Sequence, residues 1–241
     1  MLKRWILLSS ILLAQACAPA QKPAAGPDTG AIYNRGLELS RKSDFSGAVQ
    51  EFDRLIALDP RDAAAFNARA FARYNLNDLA GAIADYSRAI ELNKADENSL
   101  YMRGLARQRR SEFSEALADL NRAIELKSSD ANLFAVRGSV KGNLRDYPGK
   151  IADLTEAIRL NAAESKYYVE RGNARTWLTE YEAAVKDFDL AIEKDPKNGE
   201  AFFQRGMAKT WINQLSSACK DFQSAAALGK DMKDTIARFC K

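Results

Sequence analysis

The chain has 241 residues, 46% of them hydrophobic and 28% charged, which fits one or two folded domains and sets aside collagen, disorder and a multi-span membrane protein. It holds no histidine and three cysteines, which removes Ser-His-Asp and Cys-His nucleophilic centres, histidine-rich metal sites and the usual general base near neutral pH. Its 36 basic and 32 acidic residues, formally +4, are spread evenly rather than in blocks, so no nucleic-acid partner is expected.

The first segment reads as an address. Met1-Leu2-Lys3-Arg4 opens on two basic residues, and a largely apolar run from Trp5 to Leu13 closes on the small residues of Ala14-Gln15-Ala16. That is the layout of a secretory signal peptide over residues 1–16, and it is shorter than the about 20 apolar residues of a membrane-spanning helix. Cys17 follows directly. Leu13-Ala14-Gln15-Ala16-Cys17 resembles a bacterial lipobox, which implies lipidation of Cys17 and attachment to the membrane through that N-terminal lipid only. The commonest lipobox has leucine where Ala14 stands, so a cleaved, soluble periplasmic product stays open as the other reading. Ala18 behind the cysteine, rather than aspartate, resembles the sorting pattern of outer-membrane lipoproteins facing the periplasm of a Gram-negative cell. Residues 17–28 carry three of the six prolines among alanine and glycine, and this stretch is expected to be a flexible tether reaching roughly 40 Å at about 3.3 Å per residue.

From Thr29 a period of 34 residues runs without insertion or deletion through six copies, 29–62, 63–96, 97–130, 131–164, 165–198 and 199–232. The eighth position is small in each: Gly36, Ala70, Gly104, Gly138, Gly172 and Gly206. The twentieth reads Ala48, Ala82, Ala116, Lys150, Ala184 and Ala218, and the twenty-fourth is large, with Phe52, Tyr86, Leu120, Leu154, Phe188 and Phe222. Small residues at 8 and 20 let two antiparallel helices approach, and the large one at 24 fills what remains. Spacings such as Ala82-Ile83, Tyr86 and Ala89-Ile90 are helical rather than alternating. Asn77-Asp78, Ser111-Glu112 and Arg145-Asp146-Tyr147-Pro148 mark the turn between two helices, with Pro148 suited to the first turn of the second helix.

These regularities resemble the tetratricopeptide repeat (TPR) family over residues 29–232. The resemblance implies an all-α, right-handed superhelical solenoid of six helix-turn-helix units, since one pair cannot bury its own apolar face and a stack can. A C-terminal capping helix is expected to begin at Asp231-Met232 and take up residues 233–241, with Met232, Thr235, Ile236, Phe239 and Cys240 on one stripe. Gly229-Lys230, midway between Cys219 and Cys240, is the expected turn before that cap. In an antiparallel hairpin the two cysteines then lie level, and an oxidising compartment would join them in a disulfide; two buried thiols are the alternative.

Position 7 is arginine in every copy (Arg35, Arg69, Arg103, Arg137, Arg171, Arg205) and position 23 is acidic (Glu51, Asp85, Asp119, Asp153, Asp187, Asp221). Charge-assisted hydrogen bonds that fix helix stacking account for this ladder, although spacing leaves open which acid each arginine meets. A hydrolase using paired carboxylates is the rival that the acidic row superficially permits. The fourth copy departs from the pattern, with Lys150 in the close contact and Gly142 and Gly149 expected to loosen the chain on either side. A hinge and a purely local accommodation are the two readings of it.

In this family the first helix of each pair lines a concave groove. Carried over position by position, the groove candidates are Tyr33, Asn34, Arg41, Asn67, Phe71, Tyr74, Tyr101, Arg109, Asn143, Asn173, Trp177, Phe203 and Trp211. The resemblance implies protein or peptide partners, amides bonding their backbone and aromatics supplying buried area. It implies no catalysis, no cofactor and no metal, and self-association into a homo-oligomer stays open. Trp177 and Trp211 both fall at position 13, as partner anchors or as packing residues with an exposed edge. The lysine and asparagine that chaperone-binding members use to clamp a carboxylate are replaced by Tyr33 and Leu37. The whole reads as an exported TPR lipoprotein, a protein-interaction scaffold or adaptor in the bacterial cell envelope.

Overall fold

The computed structural model describes residues 28–127 and 129–240, so the leader, Cys17 and the tether lie outside it. The described residues form thirteen helices and no strand. Six antiparallel pairs follow one another: α1 (Thr29–Arg41) with α2 (Phe45–Leu58), α3 (Ala63–Asn75) with α4 (Leu79–Leu92), and α5 (Glu97–Arg109) with α6 (Phe113–Leu126). Then come α7 (Ala131–Asn143) with α8 (Tyr147–Leu160), α9 (Ser165–Trp177) with α10 (Tyr181–Lys194), and α11 (Gly199–Trp211) with α12 (Leu215–Ala227). A seven-residue α13 (Lys233–Phe239) ends the stack.

Local chemistry starts and stops these helices. Asp44, Asp78 and Asp146 each accept a hydrogen bond at 2.9 Å from the N–H of a glycine three residues on, Gly47, Gly81 and Gly149. The six turns inside the pairs each pass through a left-handed residue, Ser43, Asn77, Ser111, Arg145, Thr179 and Asn213, with φ between 59° and 63°. That conformation costs about 1–2 kcal/mol per residue, and it is offset by a bond from the next N–H back across the turn. Asp44 N–H to Leu39 O and Gln214 N–H to Lys209 O, both 2.9 Å, are the first and last of these. Pro148 stands in the first turn of α8, as its suitability for that position implies, and Tyr147 belongs to the same turn.

Each pair closes over a large residue. A Cβ on Gly36, Gly172 or Gly206 would stand 2.6, 2.7 or 2.5 Å from the ring of Phe52, Phe188 or Phe222, all three of them fully buried. The ring therefore rests on bare backbone, and the buried alanines at position 20 bring the helices together beside it. Each second helix packs against the first helix of the next pair. Along the inner side α1 touches α3, α3 touches α5, α5 touches α7 and α9 touches α11, with no second helices in comparable contact. First helices therefore line the concave face.

The arginine ladder joins repeats as well as helices. Arg69 donates through Nε and Nη2 to Asp85 of its own repeat at 2.8 and 2.6 Å, and through Nη1 to Asp53 of the preceding repeat at 2.6 Å. Arg103, Arg137, Arg171 and Arg205 repeat this fork, with Ser87, Asn121, Thr155 and Asp189 as the preceding-repeat acceptors. A second base, at position 11, completes each buried carboxylate: Arg73, Arg107, Lys141, Arg175 and Lys209 lie 2.6–2.9 Å from it. Arg35 has no preceding repeat, and its single contact with Glu51 is 3.4 Å and exposed.

In the fourth repeat the structure corrects the expectation of a loosened chain. Helices α7 and α8 run unbroken, and Gly149 is an N-cap partner like Gly47 and Gly81. Gly142 vacates space that Lys150 fills, since a Cβ there would lie 2.9 Å from the lysine's Cδ. The Lys150 ammonium reaches past Gly142 of α7 to Glu170 of α9 at 3.2 Å. Amide exchange in α7 and α8 is expected to match α9 and α10 within about threefold, and a rate about tenfold faster would restore the hinge.

Candidate functional site

Three cavities open along the concave face. The first, about 500 Å³, lies between α1, α3 and α5, and Tyr33, Arg41, Asn67 and Phe71 line it together with Tyr86, Asn98 and Met102. A second of about 440 Å³ is lined by Tyr101, Gln108, Asn132, Ser139, Tyr167 and Glu170. The third, about 200 Å³, brings Asn143, Asn173 and Trp177 together around Lys150 and Tyr147. Sequence position alone thus gathers seven of its candidates into the first and third cavities and one, Tyr101, into the second.

The remaining candidates are placed differently. Asn34 is exposed on α1. Tyr74 lies beneath the Arg109 guanidinium, 4.8 Å from ring centre to carbon, and Arg109 donates to Asn77 Oδ1 at 2.7 Å. That arginine is tied across a repeat boundary. Phe203 packs near Phe222, and the Lys230 ammonium stands 5.0 Å above its ring while pairing with Glu200. Trp211 is 65% exposed and Trp177 70% exposed, yet each is stacked on one face, Trp177 on Tyr147 and Trp211 on Tyr181, with centroids 5.6 Å apart. The two readings of the tryptophans are therefore both present, since one face packs and the remainder meets solvent.

The amides are partly engaged sideways. Asn67 Nδ2 donates to Ser99 Oγ at 2.6 Å and Gln108 Nε2 to Ser139 Oγ at 3.0 Å, while Tyr167 Oη donates to Asn132 Oδ1 at 2.9 Å. Each side-chain amide still has a second N–H or a lone pair for a partner. Electrostatically the first two cavities are close to neutral and keep their phenols protonated. Burial, reinforced by nearby Asp62, raises Tyr33, and burial beside Asp130 raises Tyr101 and, with Glu164, Tyr167. At Glu200 burial pushes the pKa up, but the bonds from Lys230 and Gln204 outweigh it and hold the carboxylate below its usual range. Among the described residues no group of three His, Cys, Asp or Glu side chains could hold a metal.

A tetratricopeptide repeat family model matches residues 33–98, the first two helical pairs. Those two pairs are similar to tetratricopeptide repeats, and the six-pair array has the fold of solved structures that carry them. Among solved structures, YrrB, described as a TPR protein with an unusual peptide-binding site, is 22% identical, with a TM-score of 0.65 over 75% of this chain and 93% of that one. The C-terminal part of a TPR repeat-containing protein from Cytophaga hutchinsonii gives 0.74 at 19% identity, covering 84% and 82%. MamA from Desulfovibrio magneticus gives 0.69 at 17%, covering 73% and 99%. No curated protein matches.

Within this array, sequence reasoning missed two residues of the concave face. Tyr147 and Tyr181, under the tryptophans, could have been found from the co-occurrence of Tyr at position 17 with Trp at position 13 of the next repeat. Tyr86, expected as a core filler, is fully buried beside Ala70 and Ala82.

Proposed function

We propose that this protein is an exported, lipid-anchored TPR scaffold of the bacterial cell envelope that holds an extended peptide or a partner helix along its concave face. The observation that carries the reading is the row of open cavities between successive first helices, walled by aromatic and amide side chains and flanked by two tryptophans with exposed faces. Such walls give buried area at low entropic cost and bond a peptide backbone without demanding one sequence. YrrB, similar in fold, is described as carrying a peptide-binding site, which agrees with this use of the face. Export rests on residues 1–17, and the Cys219–Cys240 disulfide suits an oxidising compartment.

The test is labelling with a fatty-acid analogue in the producing cell, followed by crosslinking in the native envelope. Label should enter the wild-type chain and vanish in Cys17→Ser, and a wild-type chain without label would favour the soluble periplasmic module. Crosslinked partners should fall several-fold in the Trp177→Ala/Trp211→Ala double variant, and unchanged recovery removes the tryptophans from the binding face.

A further inference from the structure

Three residues of the fourth and fifth repeats depart from the array together. Position 20 is a fully buried alanine in five repeats and Lys150 in the fourth. Position 12 carries Ser40, Tyr74, Gln108, Thr176 and Thr210 elsewhere, whereas Gly142 leaves the room that the lysine stem occupies. Position 6 is uncharged in five repeats, and in the fifth it is Glu170, 3.2 Å from the Lys150 ammonium. An alanine closes the other pairs without ordering a long side chain, so packing alone does not call for this lysine.

Lys150 leads into the third cavity of the concave face, about 200 Å³, with Asn143, Asn173, Ser139 and Trp177 around it. Elsewhere on that face Asn67, Gln108 and Gln204 donate to Ser99, Ser139 and Glu200. In this cavity the amides of Asn143 and Asn173 and the Trp177 indole N–H form no hydrogen bond among the described residues, and the Lys150 ammonium keeps only its ion pair. All four groups can be reached from solvent. Asn143 is exposed, Asn173 is half-buried, the Lys150 side chain is 17% exposed and Trp177 70%.

These groups set the chemistry of a ligand. A volume below the about 300–1,000 Å³ of a drug-sized pocket admits a single ring. An aliphatic side chain placed there would strand two amides and an ammonium away from water. An anion would find the ammonium's charge already met by Glu170. A ring bearing neighbouring hydroxyls suits the site, because each hydroxyl donates to an amide oxygen and accepts from an amide N–H or the ammonium. The indole supplies the remaining wall. Tyr147 covers one of its faces, nearly parallel at 5°, and leaves the other π face for the weakly positive C–H groups of a sugar ring.

We propose that this cavity is a saccharide-binding site, which takes one pyranose ring of a neutral glycan with its hydroxyls on Asn143, Asn173 and Lys150 and its C–H face on Trp177. It is independent of the peptide reading above. The twin tryptophan, Trp211, stacks on Tyr181 in the same way, but Ala184 and Met207 stand where Lys150 and Asn173 would be, so it has the aromatic wall without the polar one.

The experiment titrates the isotope-labelled full chain, in detergent, with chitotriose, with maltotriose and with sodium acetate as a charged probe. Indole N–H signals are followed by NMR, assigned with Trp177→Phe and Trp211→Phe. Trp177 should shift with a sugar at a Kd of about 1 mM, the scale set by one small ring, while Trp211 stays in place. Either sugar supports the site, and the preference between them tells whether an acetamido group is read. Asn173→Ala, and Lys150→Met whose stem still fills the space at Gly142, should each weaken that sugar about five- to tenfold. No shift at about ten times that concentration, or equal shifts of both tryptophans, overturns the proposal. Sugar affinity unchanged in both variants overturns it as well, since the amide and the ammonium then only pack. A response to acetate in place of the sugars makes the cavity an anion site and equally overturns it.

Discussion

Replacing Asp187 by alanine is expected to cost the array about 3–5 kcal/mol, because it strands two partly buried guanidinium groups that the carboxylate now neutralises. Asp187 is 1% exposed and takes Arg171 through Nε and Nη2, the latter at 2.7 Å, and Arg175 through Nη1 at 2.8 Å. Arg171 also reaches Thr155 of the repeat before, so its loss of anchorage loosens a repeat boundary as well as a helical pair. Arg35→Ala is the internal control. That arginine is 65% exposed at the open end of the ladder, and an exposed pair contributes about 0–1 kcal/mol. Thermal or denaturant unfolding of the two variants beside the wild type makes the comparison. If Asp187→Ala unfolds no more easily than Arg35→Ala, the ladder is not structural, and the acidic row again becomes available for a chemical role.

The second large effect is expected at the C-terminal end. Cys219 on α12 and Cys240 beyond α13 are joined by a disulfide with Cα atoms 5.3 Å apart and a separation of 21 positions in sequence. Helix α13 has seven residues and none of them is fully buried, so it has little stability of its own. Met232, Ile236 and Phe239 lay it over the apolar end of the sixth repeat, near Phe222. In the chain-entropy account, closing a loop of this length contributes roughly 3 kcal/mol, and here that contribution is concentrated on one small element. Reduction, or Cys240→Ser, should let α13 detach and expose Met232 and Phe222. Hydrogen exchange in α13 should then approach the rate of an unstructured peptide, and α12 should lose protection. Repeats one to four should be unchanged, because stability in a stacked array passes between neighbours. Full protection of α13 after reduction would show that apolar packing alone holds the cap.

The period of 34 already determines most of this fold. Helical phase, the small residues at positions 8 and 20 and the filler at 24 are consequences of local geometry, since the face a side chain takes on a helix follows from its spacing. A residue such as Gly172 is therefore readable from the chain alone, because whatever stands there must admit the ring of Phe188. The tertiary structure decided what passes between repeats. That Arg69 forks to Asp53 as well as Asp85, that Trp177 stacks on Tyr147, and that Lys150 threads past Gly142 to Glu170 all depend on how far one pair is rotated on the next. A repeat period carries no measure of that rotation. The same limit explains the first cavity. Sequence marks Tyr33, Asn67 and Phe71 as facing one groove, and only the stacking of α1, α3 and α5 gathers them around an open pocket.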